Sequence, residues 1–542
     1  MATRNGAHLL VETLLAEGVD TLFGIPGVAT LGVYDAFVDH PELRAINVRH
    51  EQSAVFMADG YARSSGRVGV AMTSGGPGAL NTLTAMSTAF TDSSPVLHIT
   101  NENPAHVRKK GRGYFHDISD QFGIFRPVSD FGVQATLAEE VPAGIHQAMV
   151  ALRNRRPRPA VVEIAAEAFD EVSDVDIGPA AVSSPRAAAA AQIAAATAAI
   201  AAAECPIIWA GGGVIAADAV DELRRLADLT GAPVLTSQAG KGSIRADHPL
   251  HIGNWGNEQP VRDLLGRSDL LIAVGTRFSY FPTGGWSLEL PSRIVQIDLD
   301  PAEIGRNYAA EVGVVGDAKL ALAAVLDRLA VSGYTGLESR AGEVASTHAR
   351  IQAAVGSHEE LDVLDQIRRA LPEDARVFND PTTIAFWARS AWPAYEPRTW
   401  FVPSGFGTLG FALPAAIGAK VATPEHPSVA LIGDAGSMFT IQDLMTAVQE
   451  NVPAIIMIFN DEGYGVERRH QDHLYGRRSG VDVTPPDFVA VAQAFGAVGV
   501  RVDDLSRVGA ALESALGSSR PVVIEVPNRF QHPGYGAWAA YE

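Results

Sequence analysis

The sequence predicts an α/β protein made of three doubly wound parallel-sheet domains, and three observations predict it. The chain has 542 residues, which at about 150 residues per domain corresponds to three or four compact units. Short apolar runs alternate with stretches of helical periodicity along most of its length, the pattern of a parallel sheet covered by helices on both faces. Two stretches of small and polar residues, 170–185 and 333–357, cut that alternation into three blocks.

The first block opens with Leu9, Leu10, Leu14 and Leu15 at helical spacing within 6–17, then an apolar strand at 21–25 and a Pro26-Gly27 break. Strands at 45–48, 68–72 and 96–100 alternate with helices at 51–62 and 78–90, and a last strand lies near 157–164. Residues 187–203 are almost all alanine, the strongest helix former, and open the second block. Its strands fall at 206–209, 233–236, 270–274 and 294–298, and those of the third block at 377–379, 428–432, 454–459 and 522–526. The domains are therefore expected at 1–170, 187–330 and 358–542, with 333–357 as a linker.

Hydrophobic residues make up 47% of the chain and charged residues 19%, a composition that supports large cores and excludes general disorder. The formal net charge of -20 disfavours a nucleic-acid backbone or an anionic membrane as the main partner and points to a small-molecule ligand. Cys205 is the lone cysteine, so no intrachain disulfide is expected and a reducing, cytoplasmic setting is the default. No secretory leader is read at the N-terminus, and no stretch reaches the roughly 18 uninterrupted apolar residues of a membrane span.

The most informative stretch is Gly433-Asp434-Ala435-Gly436-Ser437, which follows an apolar strand and precedes the helical pattern at 441–450. A glycine-rich turn between strand and helix lets backbone N–H groups approach a phosphate. Asp434 would repel that phosphate unless a divalent cation lay between them. After the next apolar strand comes Asn460-Asp461-Glu462-Gly463, a second carboxylate at a strand's carboxyl end, where ligands of open α/β sheets collect. Alone, Asp434 would cap a helix and Asp461 would serve a turn. Their joint placement favours one shared cation, magnesium when phosphates complete its shell.

With these residues the chain resembles the thiamine-diphosphate enzymes of the acetolactate synthase and 2-oxo-acid decarboxylase group, over its whole length. The family's Gly-Asp-Gly followed by Asn-Asn appears here as Gly433-Asp434-Ala435 and Asn460-Asp461. The resemblance implies magnesium held by Asp434, Asp461 and the backbone carbonyl of Gly463, with Gly436 and Ser437 near the diphosphate. Glu51, in Arg49-His50-Glu51-Gln52 ahead of SAVFMADGYAR, matches the glutamate that shares a proton with the coenzyme's aminopyrimidine ring. Such a task suits a carboxylate shielded from water. Within VPSGFGTLGFALPAAIGA, the resemblance implies that Gly407 offers a carbonyl to the ring amino group and that Leu409 bends the coenzyme. MTSGGPGAL at 72–80 resembles the glycine-rich loop by the reacting centre, and 92–95 the turn after it.

Substrate-facing positions separate the members of the group. His116 falls where acetolactate synthases carry Gln, and His470 where they place a substrate-gating Trp. Glu467 falls where simple 2-oxo-acid decarboxylases carry a proton-relay Glu, whereas Val28 replaces their acidic residue after the Pro26-Gly27 turn. His116, Glu51 and Glu467 are thus the expected catalytic residues. The implied reaction is non-oxidative decarboxylation of a 2-oxo acid, the product leaving as an aldehyde or being joined to a second carbonyl, an aldehyde or ketone. Acetolactate synthase proper is the alternative, and a non-catalytic coenzyme-binding homologue the alternative of another class. The resemblance also implies a homodimer or homotetramer with active sites between subunits. Gly211-Gly212-Gly213 in the second block follows a strand, and FAD is not expected there.

Overall fold

The computed structural model describes residues 4–180, 182–527, 529–531 and 533. Each of the three blocks folds round its own six-stranded sheet with every neighbouring pair parallel. In the N-terminal domain the strands are β1 (Thr21–Gly24), β2 (Arg44–Asn47), β3 (Gly69–Thr73), β4 (Val96–Glu102), β5 (Phe131–Ala135) and β6 (Ala160–Ala165), in the order β2-β1-β3-β4-β6-β5. The central domain has β7 (Pro206–Ala210), β8 (Val234–Thr236), β9 (His251–Gly253), β10 (Leu270–Val274), β11 (Ile294–Asp298) and β12 (Val312–Val315), in the order β9-β8-β7-β10-β11-β12. The C-terminal domain has β13 (Arg376–Asn379), β14 (Trp400–Phe401), β15 (Ser428–Gly433), β16 (Ile455–Asn460), β17 (Val498–Arg501) and β18 (Val522–Pro527), in the order β14-β13-β15-β16-β18-β17.

The two outer domains therefore share one topology, and the central domain has another. In both outer sheets the order reverses between the first and third strands, the switch point outside which α/β proteins bind ligands. Inner strands such as β3, β4 and β6 are buried on both faces, which is why they read as near-continuous apolar runs. The edge strands β5 and β17 are half exposed and mix polar with apolar residues, so sequence periodicity did not announce them.

Two expectations need correction. Residues 333–357 are not an unstructured linker: they contain the helix Ala341–Val355, which buries Val344 and Ile351 against the central-domain core around Trp209 and Leu264. Only three of its residues are buried, so its apolar stripe was too thin to read. The helix expected at 78–90 is two, Pro77–Asn81 and Leu83–Asp92.

The outer domains meet through equivalent helices. Glu51–Ser65 follows the second strand of its sheet, Ala412–Ala422 follows the second strand of the other, and the two cross in close contact. A Cβ added at Gly60 would stand 2.0 Å from the Ala415 carbonyl oxygen, and one at Gly418 would stand 2.0 Å from that of Met57. The approach is thus backbone against backbone, and reciprocal. Phe56 packs edge-on against Phe411 at 5.6 Å beside it. Half-buried Arg63 seals the junction, pairing with Asp59 at 2.7 Å and Asp92 at 3.3 Å and donating to the Val402 carbonyl. Buried Asp59, half-buried Asp92 and a carbonyl satisfy a guanidinium that would be costly alone.

Candidate active site

The end of the C-terminal sheet gathers acidic groups. β15 and β16 run side by side with Gly433 opposite Phe459, so the residues that follow each strand emerge at the same edge. Asp434, 2% exposed, starts the short helix Asp434–Ser437, and its Oδ2 accepts the Gly463 N–H at 3.0 Å. Asp461 faces it. Burial raises both carboxyl groups above the ordinary aspartate range, and the charge of Asp434 raises Asp461 further. The Arg468 side chain, from the helix Gly465–Tyr475, braces this loop by donating to the carbonyls of Asp461 and Glu462 at 3.2 and 3.0 Å and to Asp482 at 2.8 Å. Gly465 packs against it: a Cβ there would lie 2.0 Å from Asp461 Oδ2 and would force that side chain to move.

Among the described residues no three His, Cys, Asp or Glu side chains gather as metal ligands. Two carboxylates with main-chain oxygens still suit magnesium, which keeps part of its octahedral shell for water and phosphate. The donor chemistry therefore fits the expected metal and diphosphate. Thr382 adds a hydroxyl at this edge, its Oγ1 standing 3.2 Å from the position of a Cβ on Gly433.

Asp380, at the end of β13, was not foreseen. It is fully buried, accepts the N–H groups of Gly410 at 2.6 Å and Ala412 at 2.7 Å, and presses against Gly436, where a Cβ would come within 2.8 Å of its Oδ2. Burial pushes it up to about 7 against the pull of those N–H groups. It ties the Gly407–Gly410 segment to the Gly433–Ser437 turn. In that segment Gly407 has φ +70° with open space round its Cα, and Leu409 is half-buried.

The N-terminal sheet builds a second cluster at its equivalent edge. Glu51 begins the helix Glu51–Ser65, and its Oε2 accepts from Asn81 Nδ2 at 2.9 Å. The loop Ser74–Gly76 after β3, with the start of the helix Pro77–Asn81, lies between Glu51 and His116. A Cβ on Gly78 would be 3.4 Å from Glu51 Oε1, and one on Gly76 would be 2.6 Å from His116 Cβ. His116 itself takes the left-handed conformation at φ +60° and stacks on Phe115 at 3.8 Å. Sequence position alone concealed Asn81, a neighbour of Glu51 only because the loop turns back.

The clusters communicate at two points. Asp92 Oδ1 accepts the Gly405 N–H at 2.8 Å, so the 92–95 turn steadies the segment that carries Gly407 and Leu409. Asp443 Oδ1 accepts the Arg49 N–H at 2.7 Å just ahead of Glu51. Among the described residues, no hydrogen bond or ion pair joins Glu51 or His116 to Asp434, Asp461 or Glu467. Glu467 is exposed on the first turn of Gly465–Tyr475, with His470 half-buried one turn on. In the central domain the glycine run has a packing role. A Cβ on Gly211 would lie 2.0 Å from the Gly275 carbonyl oxygen, and one on Gly213 would lie 2.6 Å from Gly275 Cα.

Three family profiles cover the chain in this order: thiamine pyrophosphate enzyme, N-terminal TPP binding domain at residues 4–124; its central domain at 193–325; and its C-terminal TPP binding domain at 380–526. A Pseudomonas aeruginosa protein named "Probable 2-ketoarginine decarboxylase" is 35% identical over 97% of this chain and 94% of its own. The acetolactate synthase large subunit of Haemophilus influenzae is 32% identical over 96% of this chain and 94% of its own. For isozyme 3 of Escherichia coli the values are 31%, 96% and 93%. The chain belongs to the thiamine pyrophosphate enzymes. Within them it stands in the acetolactate synthase and 2-oxo-acid decarboxylase group, as a thiamine-diphosphate-dependent enzyme of 2-oxo-acid decarboxylation and carboligation. No described helix is long and apolar enough to cross a membrane.

Proposed function

We propose that this enzyme removes carbon dioxide from a 2-oxo acid without net oxidation, then releases the remaining fragment as an aldehyde or joins it to an aldehyde or ketone acceptor. The observation that carries the reading is the Asp434 and Asp461 pair at adjacent strand ends, both raised by burial and Asp461 raised further by the charge of Asp434. Two carboxylates withdrawn from water side by side are costly, and a divalent cation between them turns repulsion into binding.

Asp434, Asp461 and the Gly463 carbonyl would hold magnesium, with Gly433, Ala435, Gly436 and Ser437 lining the diphosphate and Gly407 and Leu409 the pyrimidine end. Thiamine diphosphate, when bound, supplies an electron sink that lets the carboxylate leave. Glu51 holds a proton against the ring base, His116 binds the substrate carboxylate or moves a proton, and Glu467 protonates the product side. On this reading residues 1–170 bind the pyrimidine, 187–330 form the central domain without FAD, and 358–542 bind diphosphate and magnesium.

Glu51 and the carboxylate pair stand in separate clusters, and each cluster is rimmed by exposed apolar side chains. Val28, Leu31 and Phe115 flank the first; Phe406, Met438 and Phe439 flank the second. Such surfaces favour burial against another copy. They support a homodimer in which one subunit's N-terminal domain completes the other's C-terminal domain, and a tetramer of two such pairs. A cytoplasmic setting, with neither nucleic acid nor membrane as partner, completes the proposal. His116 and His470 in place of Gln and Trp weigh against acetolactate synthase proper. Retention of Glu51, Asp434 and Asp461 weighs against a non-catalytic homologue.

The test is incubation with thiamine diphosphate, magnesium and a panel of 2-oxo acids, with and without added aldehyde, and identification of products by NMR. Release of carbon dioxide that disappears in Glu51→Gln is the expected result. Undiminished turnover in that variant would overturn the assignment.

A further inference from the structure

The loop between Glu51 and His116 is pinned from behind by a buried polar chain. The Gly76 N–H donates to Gln121 Oε1 at 2.6 Å, and the Gly75 N–H donates to Asn101 Oδ1 at 2.8 Å. Gln121 Nε2 donates to the Asn101 carbonyl at 2.9 Å and to Glu163 Oε2 at 2.8 Å, and Glu163 Oε1 accepts from Gln134 Nε2 at 2.6 Å. Gln121 and Glu163 are each 1% exposed. Among the described residues Glu163 has no ion-pair partner.

A buried carboxylate without a counter-ion is expensive for the fold, and a neutral side chain on β6 would relieve that cost. What the carboxylate supplies, beside the Asn101 carbonyl, is acceptor-only character at both ends: one oxygen faces Gln121, the other Gln134, and neither gives a proton. Facing Glu163, the amides of Gln121 and Gln134 must both present NH2. Gln121 must then turn its carbonyl oxygen to Gly76. A flipped Gln121 would set NH2 against N–H, donor against donor, and leave the buried Gly76 N–H without an acceptor.

We propose that Glu163 and Gln121 are positioning residues that set the polarity of this chain and so fix the Gly75–Gly76 peptide between Glu51 and His116. The inference rests on the reading above, in which that loop borders the reacting centre. The charge never reaches the substrate; its effect is the direction in which one amide faces.

The experiment is a polarity swap in the full-length enzyme. Glu163→Gln leaves one acceptor for two NH2 groups, and is expected to lower kcat about tenfold, the worth of one broken buried hydrogen bond, with little change in the dissociation constant of thiamine diphosphate. Hydrogen exchange read by mass spectrometry on the peptide spanning residues 73–78 should quicken. The double variant E163Q/Q121E restores the order along Gly76, position 121, position 163 and Gln134, and loses only the bond from position 121 to the Asn101 carbonyl. The carboxylate introduced at position 121 accepts from the Gly76 N–H and from the amide introduced at position 163, whose carbonyl oxygen in turn accepts from Gln134. With that one bond lost, this variant should recover part of the kcat and part of the slow exchange, and so stand above Glu163→Gln in both. Wild-type kcat and exchange in Glu163→Gln, or a folded double variant no better than the single one, would overturn the proposal. If Glu163→Gln does not fold, a folded, active double variant supports the polarity argument, and failure of both to fold sinks it. Glu51→Gln run in parallel separates the two levels: full turnover there defeats the site reading, whereas its loss beside an unaffected Glu163→Gln defeats only the network.

Discussion

The N- and C-terminal domains are built to one strand order and present their loops at the same sheet edge, yet they fill those loops with opposite chemistry. After its third strand the N-terminal domain has the neutral loop Ser74–Gly76, in which the Gly75 and Gly76 N–H groups are taken up by side-chain amides. After the same strand the C-terminal domain has Asp434, joined by Asp461 from the fourth. After the second strand the first places Glu51, and the second places Gly407 and Leu409. Topology decides where functional loops collect, and the residues in them decide what each edge does. On the proposed reading one half would anchor the coenzyme and the other would activate it.

The sharpest way to break that division is to remove one acid from each half. Asp434→Ala should abolish magnesium-dependent coenzyme binding, seen as loss of calorimetric titration, and activity with it. Glu51→Gln should keep coenzyme binding and lose roughly 10²- to 10⁴-fold in kcat, the range for one acid–base group. If both variants fail in the same way, the division of labour is wrong.

The reciprocity of the crossing helices gives the next test. Gly60→Val and Gly418→Val each drive side-chain atoms into a facing carbonyl, and each should cost on the order of 3 kcal/mol. Thermal unfolding should show similar losses for both, and a strongly unequal pair would show that the contact is not symmetric in energy.

The smallest effect concerns the central domain, which buttresses the twins differently. Against the N-terminal domain it uses the Arg156–Glu303 ion pair at 2.6 Å. Against the C-terminal domain it uses Lys241, whose Nζ donates to the Trp392 carbonyl at 2.8 Å beyond the helix Thr383–Ala391. Burial lowers Lys241 from 10.5 to about 7. Between those values the unfolded chain holds a proton that the native state lacks, so stability rises with pH across the window and the lysine costs most below it. The difference in melting temperature between Lys241→Met and wild type should therefore shift in favour of wild type from pH 6.5 to pH 9. A constant difference would show that this lysine stays charged.

Much of this was legible in the residues themselves. Inner strands announced themselves because burial on both faces demands unbroken apolar runs, and Asp434 and Asp461 were conspicuous because each ends such a run. Edge strands escaped because solvent on one side permits mixed residues, and Ala341–Val355 escaped because it buries so little. Asp380 lay hidden in Asn379-Asp380-Pro381-Thr382, which reads as an ordinary turn. Its position after the first strand at the switch point was the available signal. Glu51 and Asn81, or Gln121 and Gly76, become neighbours only when the sheet exists, since hydrogen bonds among loops leave no period in the chain.

The glycine crossing has a consequence for how an oligomer would come together. Because it lies within one polypeptide, the N- and C-terminal domains take their mutual attitude from contacts inside the monomer, with no need of a second molecule. The encounter of two copies is then a collision of finished surfaces. Dilution would part the molecules while leaving each pair of lobes docked, so dissociation and loss of activity would precede any loosening inside the monomer.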